Sequence, residues 1–226
     1  MLKHVWRQLI RFGFRLLYNE LAWTYDAVSW LVSLGAWRAW QQTALLFIRG
    51  GRVLELGHGP GHMLLALGAA GYKAIGLDLS PHMGRLARRR LLRSGMATSL
   101  VRGQGQALPF ATAAFDTVLA TFPTDYIMNP ATLAAVHRVL SPAGRLVIVP
   151  EGHLTGRGPH HRLIDWLFRI TGQRSGLFAV DNERYWPDEA TWLAFRQRFL
   201  AAGFGAEIHH VRLQSSGVTV VVAIKE

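Results

Sequence analysis

Residues 52–61 read Arg-Val-Leu-Glu-Leu-Gly-His-Gly-Pro-Gly, and 21 residues beyond Gly57 a second apolar run ends in Asp78. Val53, Leu54 and Leu56 spell a short buried strand. Gly57, Gly59 and Gly61 then open a turn in which the missing Cβ atoms let backbone approach a ligand closely. A helix starts over Met63 to Leu67 and ends near Gly71, and a second strand, Lys73 to Leu77, delivers the carboxylate of Asp78. Strand, glycine turn, helix, strand, acid is the nucleoside-binding half of a doubly wound sheet, with the acid placed to accept both ribose hydroxyls.

The glycine spacing narrows the ligand. A dinucleotide fingerprint, G-x-G-x-x-G, sets a helix N-terminus against a pyrophosphate. Here the spacing is G-x-G-x-G, and Glu55 stands two residues before it. A carboxylate at that position would repel a pyrophosphate and suit a ligand bearing an ammonium group.

This arrangement resembles the class I S-adenosylmethionine-dependent methyltransferases. Gln104-Gly105-Gln106-Ala107-Leu108-Pro109-Phe110, followed by Phe115-Asp116-Thr117-Val118, is similar to the segment that cradles adenine in that superfamily. Arg138 to Leu146 is similar to its helix-turn-strand signature. The resemblance implies an α/β fold: a doubly wound, Rossmann-like seven-stranded sheet whose last strand is reversed. It implies S-adenosylmethionine as cofactor, held by Tyr25, Glu55, Gly57, His58, Gly59, Gly61, Asp78, Leu79, Gln104, Gly105, Gln106, Ala107 and Thr121. A narrower match lies upstream. Tyr25-Asp26, Ser33-Leu34-Gly35, Arg38 and Trp40 keep the order and spacing of the N-terminal signature of the ubiquinone/menaquinone biosynthesis C-methyltransferases, which implies a small-molecule or lipid-like, quinone-like methyl acceptor. The chain also departs from the pattern. Gln104 replaces the usual Asp or Asn facing the adenine amine, Pro60 replaces a Thr, and residues 150–187 match the quinone enzymes poorly.

At 226 residues, with 50% hydrophobic and 17% charged residues, the chain suits one α/β domain with an appendage. The expected division is an N-terminal helical extension or lid over 1–50 and the methyltransferase domain over 51–226. Net charge is +11, carried by 22 arginines against three lysines, a balance that favours an anionic partner. The absence of cysteine excludes disulfides, thiolate metal sites and cysteine nucleophiles. No segment reaches the 18 or so apolar residues of a membrane span. Arg7, Arg11 and Arg15 interrupt any signal-peptide core, so the expected location is cytoplasmic, peripheral on the inner face of the membrane. Lys3, Arg7, Arg11 and Arg15 recur every four residues beside Trp6, Ile10 and Phe14. That pattern fits an interfacial membrane helix over residues 1–20 and equally a helix packed on its own domain. Residues 21–50 continue as helix broken near Gly35, rich in tryptophan (Trp23, Trp30, Trp37, Trp40).

Further elements follow as strands over 98–102, 115–120 and 145–149, helices over 130–140, 161–170 and 188–202, and two closing strands near 206–213 and 218–224. Methyl transfer from a sulfonium needs mainly positioning and desolvation, with a base where the acceptor is phenolic. His153, after strand five, is the first candidate because that edge faces the acceptor in this fold; Asp125 and Tyr126, after strand four, come next. His58 and His62 have i, i+4 spacing but no third ligand, so no metal site is expected. Two other readings stand beside this one. A nucleic-acid methyltransferase would explain the charge, although Thr121-Phe122-Pro123-Thr124 stands where a base-amine motif would be. A non-catalytic cofactor-fold subunit would explain Gln104 and Pro60.

Overall fold

The computed structural model describes residues 30, 33–97, 99–154 and 189–226. The expected stripe over residues 1–20, Tyr25-Asp26, Trp23 and the helix over 161–170 lie outside them. The strands are β1 (Arg52–Leu56), β2 (Lys73–Asp78), β3 (Ser99–Arg102), β4 (Phe115–Thr121), β5 (Leu140–Leu154), β6 (Phe204–Arg212) and β7 (Ser216–Lys225). They form one sheet in the order β3-β2-β1-β4-β5-β7-β6. β1 to β5 pair in parallel, and β7 runs antiparallel to both β5 and β6. The reversed last strand expected from the sequence is present.

Alternation along the central strands divides the core. Leu54 and Leu56 join Val118, Leu146 and Ile148 on one face, under α4 (Pro130–Val139) and α5 (Glu189–Ala201). Val53, Leu119, Val147 and Val149 face the other way, toward α1 (Trp37–Gln42), α2 (His62–Ala69) and α3 (Pro81–Arg93). Helix starts follow local chemistry. Ser80 Oγ accepts from the Met83 amide at 3.3 Å and Asn129 Oδ1 from the Ala131 amide at 2.9 Å, each followed by a proline in the first turn. Gly61, at φ +82°, caps α2. A Cβ there would lie 2.9 Å from Ala87 Cβ, so this glycine lets α3 lie against the turn.

β5 differs from its expected extent of 145–149. Leu140 pairs with Phe115 and the ladder then skips to Arg145 opposite Thr117, so the expected 141–144 turn becomes a bulge with Ala143 at φ +55°. Beyond Val149, residues 151–154 pair with β7 residues 216–219. The longer β7 edge thus draws residues 151–154 into the sheet. At the opposite end of the strands, Asp116 accepts from the Gly51 and Arg52 amides at 3.1 and 3.0 Å and pairs with the Arg52 guanidinium at 2.6 Å. These bonds hold the Asp116 carboxyl down at about 2.

Candidate functional site

The glycine turn leaves β1 at the C-terminal edge of the sheet, where the Gly57 amide donates to Leu77 O at 2.7 Å and ties the turn to β2. Gly57, Gly59 and Gly61 have φ of +67°, +52° and +82°, which only glycine adopts without strain. Among the described residues, a Cβ on Gly59 would meet nothing within 4 Å, so they leave this face of the turn open. Asp78 Oδ2 accepts from the Gly59 amide at 2.9 Å and Oδ1 from the Ser80 amide at 2.8 Å. Each oxygen retains acceptor capacity for a hydroxyl.

Glu55 is 1% exposed, and neither carboxylate oxygen has a hydrogen-bond partner among the described residues. Burial, and then the neighbouring charge of Asp78, raise its carboxyl well above the ordinary range. A buried carboxylate in that condition is completed by a cation that brings its own N–H donors. Next to Asp78 and an open glycine turn, this acceptor set fits S-adenosylmethionine: ribose hydroxyls at Asp78, the ammonium at Glu55.

The segment after β3 joins the same edge, because the Gly103 amide donates to Asp78 O at 3.2 Å and the Ala107 amide to Gln104 O at 3.1 Å. Gly105 is buried, Gln106 half-buried, and Gln104 and Ala107 exposed. Leu79 is 55% exposed. The Tyr126 ring lies so near Gly105 that a Cβ there would fall 3.1 Å from Tyr126 Cδ2, and its hydroxyl would be 2.9 Å from a Cβ on Gly57. Tyr126 therefore walls the cleft between turn and segment, while Asp125 beside it is exposed.

His58 turns away from this edge. It is buried, its Nδ1 donates to Gly59 O at 2.7 Å, and its ring rests on Gly76 of β2, where a Cβ would lie 2.8 Å from Cδ2. Burial draws its imidazole below the usual value. His58 thus reaches the cleft through its backbone only. His153 sits on the β5–β7 ladder opposite Gly217, beside His210. Burial first, then the His210 charge, push its imidazole down to about 4, well below the value near 7 expected of a general base.

Sequence reasoning did not single out Gln41 or Phe122. Gln41 Nε2 donates to Thr121 Oγ1 at 3.0 Å, binding α1 to the end of β4. Phe122, at φ +49°, turns its ring onto Trp37 with centroids 4.0 Å apart. A non-glycine residue in that conformation directly after a central strand is a strain typical of functional edges, but sequence gives no signal of it. Of the tryptophans in the 21–50 stretch, Trp40 is fully buried beside this contact, whereas Trp30 is 63% exposed.

A seven-stranded order with a reversed final strand, a glycine turn and an acid ending β2 define a class I S-adenosylmethionine-dependent methyltransferase. A methyltransferase-domain family model matches residues 53–144. The chain is 30% identical to a demethylmenaquinone methyltransferase of Thermus thermophilus, over 83% of this chain and 91% of that protein. It is 29% identical to the ubiquinone/menaquinone biosynthesis C-methyltransferase UbiE of Geotalea uraniireducens, over 92% and 94%. Among solved structures, a putative S-adenosylmethionine-dependent methyltransferase from Methanococcus maripaludis superposes with TM-score 0.63 at 15% identity, covering 92% of this chain and 94% of that one. The chain belongs to the S-adenosylmethionine-dependent methyltransferases, in the family of the demethylmenaquinone and ubiquinone/menaquinone C-methyltransferases. S-adenosylmethionine is its cofactor.

Proposed function

We propose that this enzyme methylates a ring carbon of a lipophilic, quinol-like acceptor, working as a cytoplasmic protein at the inner face of a membrane. The observation that carries the acceptor class is the aromatic wall of Trp37, Phe122 and Trp40 closing the C-terminal end of β4, beside the cofactor edge. A flat apolar ring packs well on such surfaces. The names of the relatives support the same reading, since demethylmenaquinone is an acceptor of that kind.

The bound cofactor supplies an electrophilic methyl group on a positively charged sulfur. Asp78 positions the ribose and braces the glycine turn through the Gly59 amide. Glu55 holds the ammonium, and Gly57, Gly59, Gly61 and the 104–107 segment shape the cleft. Thr121, fixed by Gln41, sets the acceptor side of β4. Trp37 and Phe122 exclude water from the acceptor ring. Of the three candidate proton acceptors, position favours Tyr126, which borders the cleft; His153 lies on the outer ladder with a weakened imidazole, and Asp125 faces solvent. Residues 1–20 add a basic and aromatic segment suited to the membrane interface. The test is incubation with isotopically labelled S-adenosylmethionine and a demethylmenaquinol bearing a short isoprenoid tail, read by mass spectrometry. Label on the quinone ring is expected; no label there, with label on RNA in a parallel incubation, would overturn the reading.

A further inference from the structure

We infer that the outer face of α3 is a second membrane-docking surface, one that takes anionic phospholipid headgroups. From Leu79 to Ala114 the chain contains no aspartate or glutamate, yet it carries six arginines, at 85, 88, 89, 90, 93 and 102. All lie on α3 and the edge strand β3, one margin of the sheet. The helix sorts them. Met83, Ala87 and Leu91 are buried against the core, and Arg85, Arg88, Arg89 and Arg93 are exposed on the opposite side. Leu92 stands among those four arginines at i+7, i+4 and i+3 from Arg85, Arg88 and Arg89, and it is 67% exposed. Leu79 extends the apolar component at the start of the helix, 55% exposed.

An interfacial helix needs that combination: guanidinium groups at headgroup level and an apolar side chain reaching below them. A surface for single-stranded nucleic acid would instead carry Phe, Tyr or Trp for base stacking, and 79–97 contains none of these. The face is also anchored to the cofactor edge. Arg90 donates to Pro60 O inside the glycine turn, and Arg102 Nε donates to Leu79 O at 3.2 Å. Docking through α3 would therefore present the cofactor cleft at a fixed height above the lipid, whichever acceptor the enzyme uses.

The test is co-sedimentation of the full chain with phosphatidylcholine vesicles with and without phosphatidylglycerol, at low and high salt. It compares wild type, Arg85→Gln/Arg88→Gln/Arg89→Gln/Arg93→Gln and Leu92→Ser. S-adenosylmethionine titration of each variant reports on folding. The quadruple variant should partition onto anionic vesicles at least about tenfold more weakly, with cofactor affinity unchanged. Leu92→Ser should lose the binding that survives high salt. Equal partitioning of the quadruple variant and wild type would overturn the inference and leave residues 1–20 as the lipid contact. Arginine-dependent binding of a single-stranded RNA, without vesicle binding, would overturn it in favour of nucleic acid.

Discussion

Replacing Glu55 with Gln isolates one charge in the candidate site and should move two observables in opposite directions. The side chain is buried, unpartnered among the described residues, and raised by burial and by Asp78, so the cofactor-free fold retains a proton there that the unfolded chain releases. Stability of the cofactor-free enzyme is then fully present below the ordinary Glu range. It is lost as pH rises toward the raised folded value, by up to about 1.4 kcal/mol per pH unit. Glu55→Gln has no such proton, so its stability should be flat across that window and should exceed wild type at its alkaline end. Cofactor affinity should show the reverse slope. An ammonium selects the carboxylate form, so wild-type affinity should rise up to about tenfold per pH unit across the window as binding expels the proton. The variant loses one charge-assisted contact of about 1.5–3 kcal/mol, roughly 10- to 150-fold in Kd at the alkaline end. Calorimetric titration in buffers of different ionisation enthalpy measures both Kd and the proton released; urea melts between pH 5 and 9 measure stability. A variant that binds S-adenosylmethionine as tightly as wild type at every pH, with no change in proton release, refutes the role of Glu55.

Asp78→Ala removes the acceptors for two ribose hydroxyls and should weaken S-adenosylmethionine binding by on the order of 100-fold or more in the same titration. It also frees the Gly59 and Ser80 amides, so a modest fall in melting temperature is expected with it. Gly59→Val should fold, since none of the described residues lies within 4 Å of a Cβ there, at a strain cost of about 1–3 kcal/mol for a branched residue at φ +52°. Cofactor binding should nonetheless be abolished; retained binding would make the turn purely structural. The Asp116 carboxyl lies at about 2, so its contribution to stability is present above the ordinary Asp range and lost as pH falls through about 2. Asp116→Asn should flatten acid unfolding in that range as followed by circular dichroism, with cofactor affinity at neutral pH unchanged.

What sequence made legible was whatever short-range chemistry dictates. The reversed β7 followed from the family resemblance, whereas the β1 turn and Asp78 at the end of β2 were readable because glycine spacing and an acid after an apolar run are local signals. Glu55 was readable for the same reason, as a charge in an otherwise apolar strand. His153 and His58 were harder to place because their roles depend on partners far away in the chain. His153 faces Gly217 and His210 across a ladder that exists only once β7 has paired with β5, and that pairing also lowers its imidazole. His58 looked like a turn residue, yet Gly76 leaves a gap in β2 that admits its ring, and no local pattern links positions 58 and 76. Tyr126 moved forward for a complementary reason: Gly57 and Gly105, 48 residues apart, each leave room for its side chain. The glycines read at first as concessions to a ligand therefore do two things. Among the described residues Gly59 leaves space open, whereas Gly57, Gly61 and Gly105 admit neighbouring protein. Substitution should separate the two kinds: a Cβ at Gly59 meets only strain and the cofactor, while one at Gly61 must push α3 off the turn and so compromise the fold itself.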